Sequence, residues 1–127
     1  MNLIFFIFTP VLYYQSYEAE NLNTSEFENN SGKCGDSLIW SFQPETLTLH
    51  IKGYGEMYDF KNEESFYNPW LSHNYFNINR IIVSKDVTTI GDFSFYKCSS
   101  LRNIEIPATI VSIGESSFAY CSNLQEI

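Results

Sequence analysis

A mixed α/β repeat solenoid of 23-residue units, fronted by a β-hairpin-containing cap, is the fold class this sequence predicts, and three observations predict it. The first is a duplication. Written from Ile78, the chain reads INRIIVSKDVTTIGDFSFYKCSS, then LRNIEIPATIVSIGESSFAYCSN, then LQEI, so each position recurs 23 residues later. Ile90-Gly91 answers Ile113-Gly114, and Phe95, Cys98, Leu101 and Ile104 answer Phe118, Cys121, Leu124 and Ile127. The second is the spacing within the unit, L-x-x-I-x-I at Leu101, Ile104 and Ile106. The third is a pair of alternating apolar runs ahead of the repeats, at Leu38–Phe42 and Leu47–Ile51. A period of about 20 to 29 residues with that spacing marks a leucine-rich solenoid.

Each element of the unit has a geometric reason. Ile104 and Ile106 share one face of a strand, which leaves Arg102, Asn103 and Glu105 for solvent. Pro107 ends the strand because proline has no N–H for a ladder. The chain turns back through Ile110 and Ile113, Gly114 permits a tight corner, and Glu115 to Tyr120 form one short helical turn that drops Phe118 inward. A single coil buries a handful of apolar side chains at roughly 1.5 to 3 kcal/mol each. Ordering costs about 1.5 kcal/mol for every residue, so one coil needs a neighbour.

Ahead of the repeats, residues 1–19 read as a signal peptide, with the apolar run LIFFIFTPVLYY at 3 to 14 as its core and an uncleaved anchor or buried segment as the alternatives. Residues 20–33 read as a polar linker carrying two sequons, at Asn23 and Asn29, as glycosylation candidates. Residues 34–77 form the capping module, and 78–127 the repeats, truncated in the third strand. Within the cap, Leu38, Trp40 and Phe42 alternate with Ile39, Ser41 and Gln43, and Leu47, Leu49 and Ile51 with Thr48, His50 and Lys52. Gln43-Pro44-Glu45 joins them as an antiparallel hairpin, Gly53-Tyr54-Gly55 closes the second strand, and Asn68-Pro69 caps a short helix through Trp70 and Leu71. This block covers the open first edge of the solenoid.

Fifteen acidic against seven basic residues give a net charge of −8 with no basic cluster, so neither nucleic acid nor an anionic membrane surface is an expected partner. Cys98 and Cys121 stand at one repeat position. Spaced about 4.8 Å apart like neighbouring strands, they are near disulfide range, but they read first as stacked buried thiols. With no C-x-x-C and two histidines, no metal site is expected, and no cofactor.

The order Cys34-Gly35-Asp36, Leu38-x-Trp40, Thr46-Leu47-x-Leu49-x-Ile51-x-Gly53-x-Gly55-x-Met57, Pro69-Trp70, then I-x-x-I-x-V and V-x-x-I-G-x-x-x-F-x-x-C, resembles the N-terminal region of BspA-like leucine-rich-repeat surface proteins over about residues 34 to 127. Members occur on protozoan parasites and mucosal bacteria. The resemblance implies a secreted or cell-surface location and adhesion to host or matrix proteins or cell-surface molecules. The repeats here stop after two units, where such proteins usually carry many, and no C-terminal hydrophobic segment follows.

No catalytic residue is expected. Gly35-Asp36-Ser37-Leu38 spells the G-D-S-L signature of a serine esterase class, but a polar stretch precedes it, a strand follows, and no D-x-x-H pair accompanies it. His50 and His73 read as surface residues. Phe66, Tyr67, Trp70, Tyr75 and Phe76 read as core before they read as a sugar platform. Outward side chains on the strand face, Asn79, Arg80, Arg102, Asn103 and Glu105, with Ile82, Gln125 and Glu126, are the candidate protein-binding residues, and ordinary solvated residues are the competing reading. The expected function is a non-enzymatic adhesion or protein-interaction role, against a truncated fragment without its own activity. The open C-terminal coil is expected to self-associate.

Overall fold

The computed structural model describes residues 30–60, 68–72 and 77–125, which, Asn30 apart, fall within one structural unit, Ser31–Ile127. The signal-peptide reading, the sequon asparagines Asn23 and Asn29, His73, Glu126 and the aromatics Phe66, Tyr67, Tyr75 and Phe76 lie outside the described residues.

Three antiparallel strands open the unit: β1 (Ser31–Gly35), β2 (Leu38–Gln43) and β3 (Thr48–Glu56). The hairpin follows the alternation, with Trp40 facing Ile51 and Phe42 facing Leu49 on the buried side. β1 extends into the stretch read as linker, through Ser31, Gly32 and Lys33. Gly32 lies beside the Trp40 indole, which closes on the space a side chain would fill.

β3 does not close at Gly53. It runs on to Glu56, with Gly53 and Gly55 at φ of 116° and 90°, values that a residue with a Cβ rarely adopts. This bend lets one strand serve two sheets. Its first half pairs in parallel with β4 (Arg80–Val83), Leu49 against Ile81 and Ile51 against Val83. Its second half pairs in parallel with β5 (Asp86–Ile90), Gly55 against Val87.

The coils continue that pattern. β4 pairs with β6 (Asn103–Glu105), Ile81 facing Ile104, and β5 pairs with β7 (Ser112–Ile113), Ile90 facing Ile113, all between positions 23 residues apart. A front sheet thus runs β1-β2-β3-β4-β6 and a back ladder runs β3-β5-β7. Buried Ile81, Val83, Val87, Ile90, Phe95, Leu101 and Ile104 fill the space between them, continuous with Leu38, Trp40, Leu49 and Ile51 of the cap.

The corner after the back ladder departs from the expected helical turn. Residues 92–97 and 115–120 form successive turns, and Phe93, Lys97, Ser116 and Tyr120 all have positive φ. These left-handed residues fall at matching places in the two coils and break any helix. The alternation instead points amides along the solenoid: Phe93, Phe95 and Lys97 donate their N–H groups to the carbonyls of Glu115, Ser117 and Ala119 at 2.8 to 2.9 Å. The only helix among the described residues is α1 (Pro69–Ser72), so the mixed α/β expectation gives way to a solenoid built almost wholly of strands and turns.

Gly91 and Gly114 also act differently from the expectation. Neither has a positive φ; what each lacks is room for a Cβ, which would meet the Tyr58 carbonyl oxygen at Gly91 and the Asp92 backbone at Gly114. They are points where one coil's backbone lies directly against the next.

Candidate functional site

Because strand side chains alternate, burial of Leu49, Ile81 and Ile104 sends their neighbours outward. The registers then set two rows across the front sheet. One runs Gln43, Thr48, Arg80, Asn103, and the other Ser41, His50, Ile82, Glu105. Thr48 is buried, with its hydroxyl donating to the Thr46 carbonyl at 3.2 Å. The others are exposed or half-buried, and the backbone beneath them is hydrogen-bonded on both sides through β2, β3 and β4.

Charge crosses between the rows. Arg80 forms an ion pair with Glu105, and both side chains are about half exposed, which keeps the pair's contribution to stability small. His50 Nε2 lies 3.2 Å from Gln43 Oε1. Partial burial, then the nearby Lys52 and Arg80 cations, hold the His50 pKa below its usual value, while Glu105 acts in the opposite sense. At neutral pH the imidazole is therefore uncharged, and the face offers a mixed set of donors and acceptors around half-buried Ile82.

Of the five predicted residues, Arg80, Asn103 and Glu105 come together here. Asn79 and Arg102 lie just ahead of β4 and β6 and serve a backbone ladder: Asn79 N–H donates to Leu47 O, Arg102 N–H to Asn79 O, and Gln125 N–H to Arg102 O, at 2.8 to 2.9 Å. By alternation from Asn103, Arg102 falls off the row. Sequence reasoning left out Gln43 and placed His50 only as a surface residue. The signal for both was the hairpin, whose polar alternate positions continue the rows of the repeats.

Ser37 of the G-D-S-L run lies in the exposed turn between β1 and β2. Its neighbour Asp36 accepts a 3.0 Å hydrogen bond from the Tyr58 hydroxyl, and Ser37 O accepts Tyr54 N–H. The register puts His50 opposite Ser41, roughly 13 Å along the strand from Ser37 at 3.3 Å per residue. That is a hairpin turn, and it does not present its serine on a strand-to-helix elbow.

Trp70 is fully buried. It stacks on Phe95 at 5.4 Å and meets Phe60 and Trp40 edge-on at 5.6 and 6.2 Å, so it is core as expected. Among the described residues no group of acidic, histidine and cysteine side chains could hold a metal ion. No helix of the described residues is long and apolar enough to cross a membrane.

One repeated feature escaped the sequence reading. Ser94 and Ser117 occupy matching positions and both are buried. Ser94 Oγ donates to Gly91 O at 2.6 Å, and Ser117 Oγ sits 2.7 Å from Gly114 O and 3.0 Å from Gly91 O of the coil before. The hydroxyls fasten each corner and tie it to its neighbour. The motif is therefore I-G-x-x-S-F-x-x-C.

Two parallel ladders on a stacked coil, with glycine contacts and serine ties at one corner, define a leucine-rich-repeat protein. A sequence model described as BspA type leucine rich repeat region (6 copies) matches residues 63–127, and the chain belongs to that family. No curated protein matches the sequence. Among solved structures, a leucine-rich repeat protein from Eubacterium ventriosum is similar at 24% identity and a TM-score of 0.64, over 75% of this chain and 24% of that one. A leucine rich cell surface protein from Faecalibacterium prausnitzii matches at 18% identity and a TM-score of 0.48, over 75% of this chain and 29% of that one. The chain thus spans about a quarter of the length of these proteins.

Proposed function

We propose that this chain is a non-enzymatic recognition module, secreted or displayed at a cell surface, that mediates adhesion or protein–protein interaction through its front sheet. The observation that carries the proposal is the pair of outward rows, Gln43-Arg80-Asn103 and His50-Ile82-Glu105, held on a backbone fixed by parallel ladders. Preorganised side chains bind without first having to be ordered, which is what makes a repeat scaffold a useful recognition surface. Membership of the BspA-type leucine-rich-repeat family, which suggests a surface interaction role, supports the same reading. Host or matrix proteins, or other cell-surface molecules, are the partner class, reached by residues of both charges with a neutral imidazole among them.

The test is binding of purified protein to immobilised host cells and matrix proteins, with Arg80→Ala, Asn103→Ala and Glu105→Ala combined in one variant. Binding is expected to weaken about tenfold or more, since hot-spot side chains each contribute on the order of 1 to 2 kcal/mol. Unchanged binding by a variant with an unaltered circular dichroism spectrum overturns the assignment of this face.

A further inference from the structure

Cys98 and Cys121 occupy equivalent corners of successive coils. The ladder that joins those corners, Phe95 N–H to Ser117 O and Lys97 N–H to Ala119 O at 2.8 Å each, runs up to the two cysteines. Beyond it, a single oxygen gathers both. Phe95 O accepts the Cys98 amide at 3.1 Å and the Cys121 thiol at 3.0 Å. The two cysteines lie in no strand, but their corners are joined by the same backbone hydrogen bonds that set paired strands about 4.8 Å apart, a spacing within the roughly 4.4 to 6.8 Å between Cα atoms that a disulfide requires.

The two thiols differ in access. Cys98 is buried and Cys121 is only partly covered, because no described coil lies over it. We propose that this pair is a thiol-oxidation site, in which a small-molecule disulfide such as oxidised glutathione closes an inter-coil Cys98–Cys121 bond. Cys121, as thiolate, attacks one sulfur of the reagent, forms a mixed disulfide and expels one reduced thiolate, which takes up the proton that Cys121 released. Cys98, deprotonated in turn, attacks the Cys121 sulfur, forms the protein disulfide and expels the second thiolate, which takes the second proton. Two protein thiols are oxidised, one reagent disulfide is reduced to two thiols, and the atoms balance. Burial raises the pKa of both cysteines, so the reaction is slow at neutral pH and quickens in mild alkali. Cys34, in the core of the cap, is pushed up to about 12 by burial and serves as the internal control.

The experiment treats the folded chain with oxidised glutathione at mildly alkaline pH, quenches it with acid, and maps tryptic peptides by mass. Cleavage after Lys97 and Arg102 separates the two cysteines, so the expected product is the 98–102 peptide joined to the 103–127 peptide, two hydrogens lighter, with Cys34 unmodified. In a Cys98→Ala variant the resolving thiol is gone, and the mixed disulfide on Cys121 should persist. In wild type, amide exchange at Ile113 and Gly114 should slow by about tenfold on oxidation, as the last coil is fastened to its neighbour. A stable glutathione adduct on Cys121 of wild type, a link through Cys34, or thiols that react only in urea would each overturn the proposal; the wild-type maps decide it even if the variant fails to fold.

Discussion

At Gly91 the nearest obstacle to a side chain is the carbonyl of Tyr58, and at Gly114 it is the Asp92 carboxylate with the Asp92 and Gly91 backbone just behind it. Neither residue needs a positive φ, so alanine would otherwise be tolerated or even slightly stabilising through the unfolded chain. Gly91→Ala is expected instead to destabilise by about 1 to 3 kcal/mol, because backbone on both sides leaves little freedom to relax. Urea unfolding gives the sign directly. A second residue-scale consequence concerns pH. The buried Cys34 thiol is raised from 9.0 to about 12, so the native state holds a proton that the unfolded chain releases between those values. Its contribution is intact below pH 9 and is lost as pH rises to 12, at most about 4 kcal/mol. The urea midpoint should fall over this range, and fall less in Cys34→Ala.

Among the elements, the four-residue helix α1 is held in place by side-chain hydrogen bonds at its start. Asn68 Oδ1 accepts the Leu71 amide at 2.9 Å, which caps α1, while its Nδ2 donates to Ser94 O at 2.6 Å and Phe93 O at 3.3 Å. Trp70 Nε1 donates to that same Ser94 carbonyl at 2.9 Å. One asparagine therefore starts the helix and docks it on the first corner. Asn68→Ala should cost roughly 2 to 4 kcal/mol, the sum of a lost cap and buried carbonyls short of a donor, as read from thermal and urea unfolding. The cap-then-proline pattern made this helix legible in the sequence. The second strand of each coil was not: Val87, Thr88, Thr89 and Ile90 are a β-branched run, but at two to five residues β5 and β7 are too short to show alternation, and the run was read as a turn back. The left-handed residues were equally hidden, since Phe93, Lys97, Ser116 and Tyr120 share no side-chain chemistry that favours positive φ. Coil-to-coil hydrogen bonds impose it.

For the molecule as a whole, burial falls along the axis. Ile90 is 1% exposed, and Ile113, its partner in the next coil, is 50% exposed. Phe118, Cys121 and Leu124 are likewise only partly covered, where Phe95, Cys98 and Leu101 are buried. Self-association of this 127-residue chain through that end is the expected outcome by sedimentation velocity, and Ile113→Lys should weaken it about tenfold or more, or about 1.4 kcal/mol. A chain that stays monomeric at high concentration would count against it. The candidate recognition face was legible only in part. The repeat period located Arg80, Asn103 and Glu105, whereas Gln43 and His50 joined them through a hairpin register that no spacing within the repeat specifies.

Because β3 carries both ladders at once, the cap supplies a finished pairing edge for the front and the back of whatever follows. A ribosome delivers that edge first. Later units then add to a template already in place, so folding has a direction, start to finish, and lengthening the array by whole units leaves the difficult nucleation step untouched.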